Sequence, residues 1–263
     1  MIYYVKNLSN ILSNNIITYP QYANKTLNAL ASDNSGLITY EMNEYGYRAS
    51  KPFKTVPQYN VLALGCSWTM GIGVDNNLIW PSLIGDKLGR MHNYGMYGVS
   101  TSFIAKTFYK FLNSIKTPDV ALIMWPGFSR RDYITETGEF RKIGGFRTAT
   151  NEDPVWRNNE EDLLFLQLRN DNQDLMEFCE AYQFVEALSK LYRIKTFHTV
   201  AGYYYEIYKK LKPKLENTIN YRTFYEPKDC YQNDHKAADR QHPGEVWHKN
   251  FADNFYSFIK DKI

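Results

Sequence analysis

The sequence predicts an α/β fold built on a mainly parallel sheet, and three observations carry that expectation. Short continuous apolar runs end at glycine or proline. Longer stretches place apolar residues at three- and four-residue spacing, and the two kinds of segment alternate along the chain. Val61-Leu62-Ala63-Leu64, closed by Gly65, reads as a strand buried on both faces. Trp80-Pro81 then opens a short helix carrying Leu83, Ile84 and Leu88, with Gly89 just past its end. A second strand is expected over His92–Met96, followed by a helix with Ile104, Phe108, Phe111 and Ile115 on one stripe. Pro118-Asp119 introduces the clearest run, Val120–Trp125, which Pro126-Gly127 stops, so this third strand should be central. Leu175, Phe178, Tyr182, Val185 and Leu188 mark a long helix, Ile194–Val200 a fourth strand, and Tyr203–Leu211 another helix. A fifth strand is read near Tyr221–Tyr225. The last helix carries Trp247, Phe251, Phe255 and Phe258.

At 263 residues the chain suits one large domain. Residues 1–59 read as a leader packing on the main body, because clusters such as Ser32-Asp33-Asn34-Ser35-Gly36 interrupt its apolar runs. Residues 60–263 form the main domain. An insertion at about 128–160 shows no periodicity and interleaves Arg130, Arg131, Arg141, Arg147 and Arg157 with Tyr133, Phe140, Phe146 and Trp156.

Composition narrows the function more than it defines it. With 31 basic and 28 acidic residues and a net charge of +3, there is no dense basic face to argue for nucleic acid. No segment approaches the roughly 20 apolar residues of a membrane span, and Met1–Asn15 lacks the apolar centre of a secretory signal. Cys66, Cys179 and Cys230 are too few and too scattered for a disulfide framework or a cysteine-rich metal site, which points to a reducing, cytoplasmic setting. Oligomeric state leaves no mark on the sequence.

In an open parallel sheet, ligands collect beyond the carboxyl ends of the strands. Gly65-Cys66-Ser67-Trp68-Thr69-Met70-Gly71-Ile72-Gly73 follows the first strand, and its glycines permit a tight turn that exposes the Ser67 hydroxyl. Near the other end of the chain, Asp239-Arg240-Gln241-His242-Pro243-Gly244 immediately precedes the closing helix. Pro243 at that helix's first position would hold His242 at a fixed angle, and Asp239 could curl back to orient the imidazole. Serine, histidine and carboxylate form the set needed for a nucleophile, its base and the group that fixes the base's tautomer.

Gly65-Cys66-Ser67 followed by Thr69, Gly71 and Gly73 resembles the GDS-x-T-x-G-x-G opening of the SGNH (GDSL-like) hydrolases, and the late Asp-x-x-His-Pro resembles their final motif. Between them, Asn93-Tyr94-Gly95-Met96-Tyr97-Gly98 is similar to the family's second motif. The resemblance implies a three-layer α/β/α sandwich with a flavodoxin-like five-stranded sheet. It also implies ester hydrolysis without a cofactor or metal, and small acyl substrates that include acetyl groups on carbohydrate. It assigns Ser67, His242 and Asp239 to the triad and the N–H groups of Ser67 and Gly98 to the oxyanion. Two positions depart from the pattern. Cys66 replaces an aspartate that is not the nucleophile. After the central strand, Gly127-Phe128-Ser129-Arg130 stands where the family has Gly-x-Asn-Asp, so its oxyanion asparagine is missing. Ser129, Arg130 and Arg131 are the candidates for the lost donor, and removing one such donor costs roughly 3 kcal/mol of transition-state stabilisation. Arg130 and Arg131, together with Trp68, are expected to contact substrate.

Competing readings attach to the same residues. Ser67 could cap its turn, and Asp239 with His242 could cap the last helix. His235, Asp239, His242 and His248 match no compact metal signature, and Gly71-Ile72-Gly73 lacks the third glycine of a dinucleotide fingerprint. The alternative from another class is a scaffold of the same fold, degenerate in catalysis, that binds a glycan or a protein. A flavodoxin-like small-molecule binder is weaker still.

Overall fold

In the computed structural model the described residues are 23–30, 37–49, 58–114, 117–134, 140–143, 170–201, 205–215, 217–227, 236–238 and 242–263. The strands are β1 (Thr26–Leu30), β2 (Leu37–Glu41), β3 (Tyr59–Gly65), β4 (Gly89–Gly95), β5 (Val120–Trp125), β6 (Arg131–Ile134), β7 (Phe140–Ile143) and β8 (Lys195–Val200). The helices are α1 (Ser67–Met70), α2 (Trp80–Leu88), α3 (Thr101–Ser114), α4 (Asp171–Tyr192), α5 (Tyr205–Leu215) and α6 (Glu245–Ile259).

The central sheet is parallel, in the order β4-β3-β5-β8. β5 is buried at all six positions and β3 at its last five, which is why both read as unbroken apolar runs rather than alternating ones. Helices flank the sheet: α3 packs with α4, and α2 with α6. Trp80 of α2 meets Phe251 and Phe255 of α6 edge-on, at 5.4 and 6.2 Å between ring centres. Trp125 at the end of β5 meets Phe178 of α4 at 5.5 Å. The chain leaves β3 for β4 on one side and later enters β5 on the other, so strand order reverses at β3, the kind of position beyond whose carboxyl end ligands gather in open parallel sheets.

Several sequence expectations change. The predicted fifth strand at Tyr221–Tyr225 amounts to one bridge between His198 and Phe224, because the chain turns back at Asn220–Thr223, so among the described residues the central sheet has four strands. The strand predicted over His92–Met96 begins earlier, at Gly89. The predicted insertion contains an antiparallel hairpin, β6 with β7, whose four-residue strands are too short to show a period. Ahead of β3, β1 and β2 form a hairpin that polar and turn-forming residues concealed. The helix expected over Tyr203–Leu211 continues through Pro213 to Leu215, and Tyr203 and Ile115 lie outside the described residues. Pro243 does not open the last helix. Gly244 is its N-cap, and Pro243 bridges to Lys236. Among the described residues no helix is long and apolar enough to cross a membrane.

Of the bonds that join α2 to α6, one is buried. Ile79, the N-cap of α2, has no polar side chain, and the Trp80 N–H donates instead to Nδ1 of the buried His248 at 3.2 Å. Nδ1 must stay unprotonated for this bond. Burial, followed by the charges of Arg48 and His242, pulls the His248 pKa from its ordinary 6.5 to about 3. The folded state therefore binds fewer protons than the unfolded state in acid. The stabilisation is intact above the unfolded value and is lost as pH falls from there toward 3, at up to about 1.4 kcal/mol per pH unit. Urea unfolding at pH 7.5, 6 and 5 should show this decline, and His248→Asn, which keeps an acceptor, should flatten it. Identical pH slopes for the two proteins would contradict the assignment.

Candidate active site

Ser67 stands at the carboxyl end of β3, as the first residue of the single turn α1. Cys66 is the N-cap, with extended backbone, and its carbonyl accepts the N–H groups of Thr69 and Met70 at 2.9 and 3.0 Å. The Ser67 carbonyl accepts those of Gly71 and Ile72 at 2.9 and 3.3 Å. Being at the start of the turn, the Ser67 N–H has no intrahelical acceptor to serve. Its residue is 4% exposed.

The turn is fastened from three directions. Gly71 ends α1 with φ 76°, a left-handed conformation that a side chain resists. The Arg48 guanidinium, fully buried, donates from Nη1 to the Met70 and Gly71 carbonyls at 3.0 and 2.7 Å and from Nη2 to that of Val74 at 2.7 Å. Burial draws its pKa down to about 10, still charged at neutral pH. Tyr40 lies under the same guanidinium, 4.7 Å from ring centre to Cζ, and its hydroxyl accepts the Gly73 N–H at 2.6 Å. From the neighbouring strand, buried Asn93 donates to the Thr69 carbonyl at 3.1 Å and accepts the Gly95 N–H at 2.9 Å. A Cβ on Gly95 would strike the Thr69–Met70 backbone, so only glycine lets β4 lie flush against α1.

The last loop docks on this turn. Ala238 N–H donates to the Gly73 carbonyl at 3.2 Å, and Ala237 N–H to the His242 carbonyl at 2.8 Å. Trp68 packs edge-on against Trp247 of α6, with ring centres 4.9 Å apart. The segments carrying Ser67 and His242 are thus joined through the Ala238–Gly73 bond. Asp239 lies outside the described residues.

The remaining sequence candidates fall in different places. Gly98, half-buried with φ 69°, sits in the loop between β4 and α3, and Met96 N–H ties that loop to the Gly65 carbonyl at 3.0 Å. Ser129 is half-buried and Arg130 buried in the turn after β5, closed by the Arg130 N–H to the Gly127 carbonyl at 3.1 Å. Arg131, expected to meet substrate, has its guanidinium taken up by α4. It bonds Asp174 at 3.1 and 2.6 Å and Glu177 at 2.8 Å, anchoring the β6–β7 hairpin. Arg48, Tyr40 and Asn93 were not singled out from sequence. The first two precede the recognisable motifs, and a lone arginine in a polar leader reads as surface; Asn93 stood inside a quoted motif without a role.

No family model and no curated protein matches this sequence. Among solved structures it is similar to TesA, at 14% identity over 77% of this chain and 99% of that one, with a TM-score of 0.48. It is also similar to the psychrotrophic esterase EstA from Pseudoalteromonas sp., at 15% identity over 76% and 96% of the two chains, TM-score 0.45. A member of the lipolytic protein G-D-S-L family from Veillonella parvula aligns at 14% identity over 77% and 98%, TM-score 0.44. With TM-scores below one half, these likenesses leave the reaction to be judged from the chain's own residues.

Each Arg48 bond is charge-assisted and buried, and bonds of that kind contribute roughly 1.5–3 kcal/mol apiece. Arg48→Met strands the Met70, Gly71 and Val74 carbonyls, so we expect a loss of at least about 3 kcal/mol in urea unfolding. A loss below about 1 kcal/mol would show that the clamp does not hold the turn.

Proposed function

We propose that this chain is a serine hydrolase acting on acyl esters. The observation that carries the reading is positional. Ser67 opens the turn at the reversal point of a parallel sheet, and the loop preceding His242 is hydrogen-bonded to that same turn through Ala238 and Gly73. In this reading the Ser67 Oγ attacks the ester carbonyl while His242 takes its proton. The tetrahedral oxyanion draws on the N–H groups of Ser67 and Gly98, with Ser129 as a third donor. His242 then protonates the leaving alcohol, and water repeats the sequence on the acyl-enzyme to release the acid. Asp239 orients the imidazole and stabilises its charged form.

Small acyl groups, acetyl on carbohydrate included, are the proposed substrates, with Arg130, Arg131 and Trp68 as the proposed contacts to the rest of the molecule. Arg131 must then leave Asp174 and Glu177 to take part, and Trp68 offers only the part of its ring that Trp247 leaves uncovered. A second reading is favoured by one feature. The turn from Gly127 to Arg130 carries no asparagine, so the scaffold could bind a glycan ester without cleaving it.

Fluorophosphonate labelling followed by peptide mass spectrometry decides between them. The expected result is a single adduct on Ser67 together with p-nitrophenyl acetate turnover, and both fall at least about a thousandfold in Ser67→Ala and His242→Ala. No adduct, and turnover unchanged in Ser67→Ala, would sink the hydrolytic reading. Glycan binding that survives Ser67→Ala would then support the second.

A further inference from the structure

The opposite edge of the sheet carries a feature that the hydrolytic reading does not use. Ser67 follows the carboxyl end of β3, whereas a depression of about 430 Å³ opens at the amino end of the parallel strand β8. Four separate elements bring cations to it. Lys190 lies in the last turn of α4, Arg193 is that helix's C-cap, and Lys195 begins β8. Arg222 sits in the turn after α5, and Lys262 follows α6. All five are exposed. The single carboxylate in the lining is Glu186, and it is bonded to His198 Nε2 at 2.9 Å.

Among the described residues, Lys190, Arg193, Lys195 and Arg222 have no carboxylate within salt-bridge distance. Asp119, just before β5, accepts the Lys195 N–H on its carbonyl at 3.1 Å and the Asn60 N–H on its carboxylate at 2.7 Å. Cations at a helix C-terminus are ordinary partners of its dipole, which accounts for Lys190 and Arg193. It does not account for Lys195, Arg222 and Lys262, which converge from other elements.

The backbone adds a directed donor. The His198 N–H and C=O pair outward, to Thr223 and Tyr225, at 2.8 and 2.7 Å. The two-residue period of a strand turns the Thr196 N–H toward that same edge. There the chain from Asn220 folds back on itself, through Thr223 N–H to the Asn220 carbonyl at 3.1 Å, and does not continue the ladder; Thr196 lines the depression. Asn220 also lines it, and its Oδ1 takes the Arg222 N–H at 3.1 Å, which leaves the amide NH2 as a further donor.

We propose that this depression is a second binding site, for a small anion carrying two or more linked phosphate groups. Five cations against one engaged carboxylate call for multiple negative charge. The volume lies within the range of small-molecule sites and exceeds what a single phosphate fills. The site is independent of the hydrolytic reading and stands or falls apart from it.

Isothermal titration of the full chain with inorganic pyrophosphate tests it. The expected result is one site per chain, an affinity that falls as salt rises from about 50 to 300 mM, and weaker binding of inorganic phosphate. Lys195→Glu and Arg222→Glu should each weaken pyrophosphate by about tenfold or more, with Lys195→Gln and Arg222→Gln as milder variants should the reversals fail to fold. Ser67→Ala should bind as the unaltered chain does. Absence of binding at millimolar pyrophosphate overturns the proposal, as does binding indifferent to all four charge changes. Loss of binding in Ser67→Ala overturns it too, since that result puts the anion in the other crevice.

Discussion

The arrangement around Ser67 depends on one buried cation. Arg48 lies upstream of the sheet, yet its guanidinium holds the carbonyls of Met70, Gly71 and Val74. A turn rich in glycine gains freedom from those glycines and for that reason does not hold a shape by itself. Three carbonyls aimed at one planar cation remove that freedom, since the fork of a guanidinium fixes directions that an ammonium leaves open. The arginine in turn stays charged, away from water, because the carbonyl oxygens and the Tyr40 ring replace its hydration.

This clamp explains why both ends of the described chain converge on one spot. The segment around β2 supplies Tyr40 and Arg48 on one side of the turn, and the loop before α6 supplies the Ala238 bond to Gly73 on another. Asn93 closes the side facing β4. Side chains on two stretches and a backbone N–H on a third must therefore be in place before the Ser67 turn is rigid. The support is largely side chains bonded to backbone oxygens and N–H groups, and such directed bonds tolerate little displacement of the turn.

How much of this was legible in the sequence follows from the kind of signal each part carries. β5 was readable to the residue because a strand covered on both faces must be apolar throughout, and α6 because Trp247, Phe251 and Phe255 repeat at helical spacing. The placing of Ser67 after β3 was readable because glycine spacing is local. Arg48 was not, since its partners are carbonyl oxygens, which every residue has and no sequence pattern records. The fifth strand failed for a related reason. Tyr221–Tyr225 has strand-like side chains, but the Asn220 side chain and carbonyl capture the N–H groups of Arg222 and Thr223, and a turn competes with the ladder. Pro243 reads from sequence as the first residue of the last helix but lies two residues before it, because Gly244 takes the cap and Glu245 begins the helix.

The central strand's exit is held by a histidine whose protonation state can be derived. His198 is fully buried between Trp125 and Glu186. The Trp125 indole has a donor and no acceptor, so its 3.2 Å contact makes Nδ1 the acceptor and leaves the proton on Nε2, facing Glu186 at 2.9 Å. A charged imidazolium would set two N–H groups against each other at Nδ1. The contact with Glu186 is therefore a hydrogen bond from a neutral ring, not an ion pair. Burial depresses the His198 pKa while Glu186 opposes the shift, and the indole bond settles the balance toward the neutral form. One tautomer thus ties the last residue of β5 to the middle of β8 and to α4. The turn from Gly127 to Arg130, which begins two residues later, leaves from a fixed point.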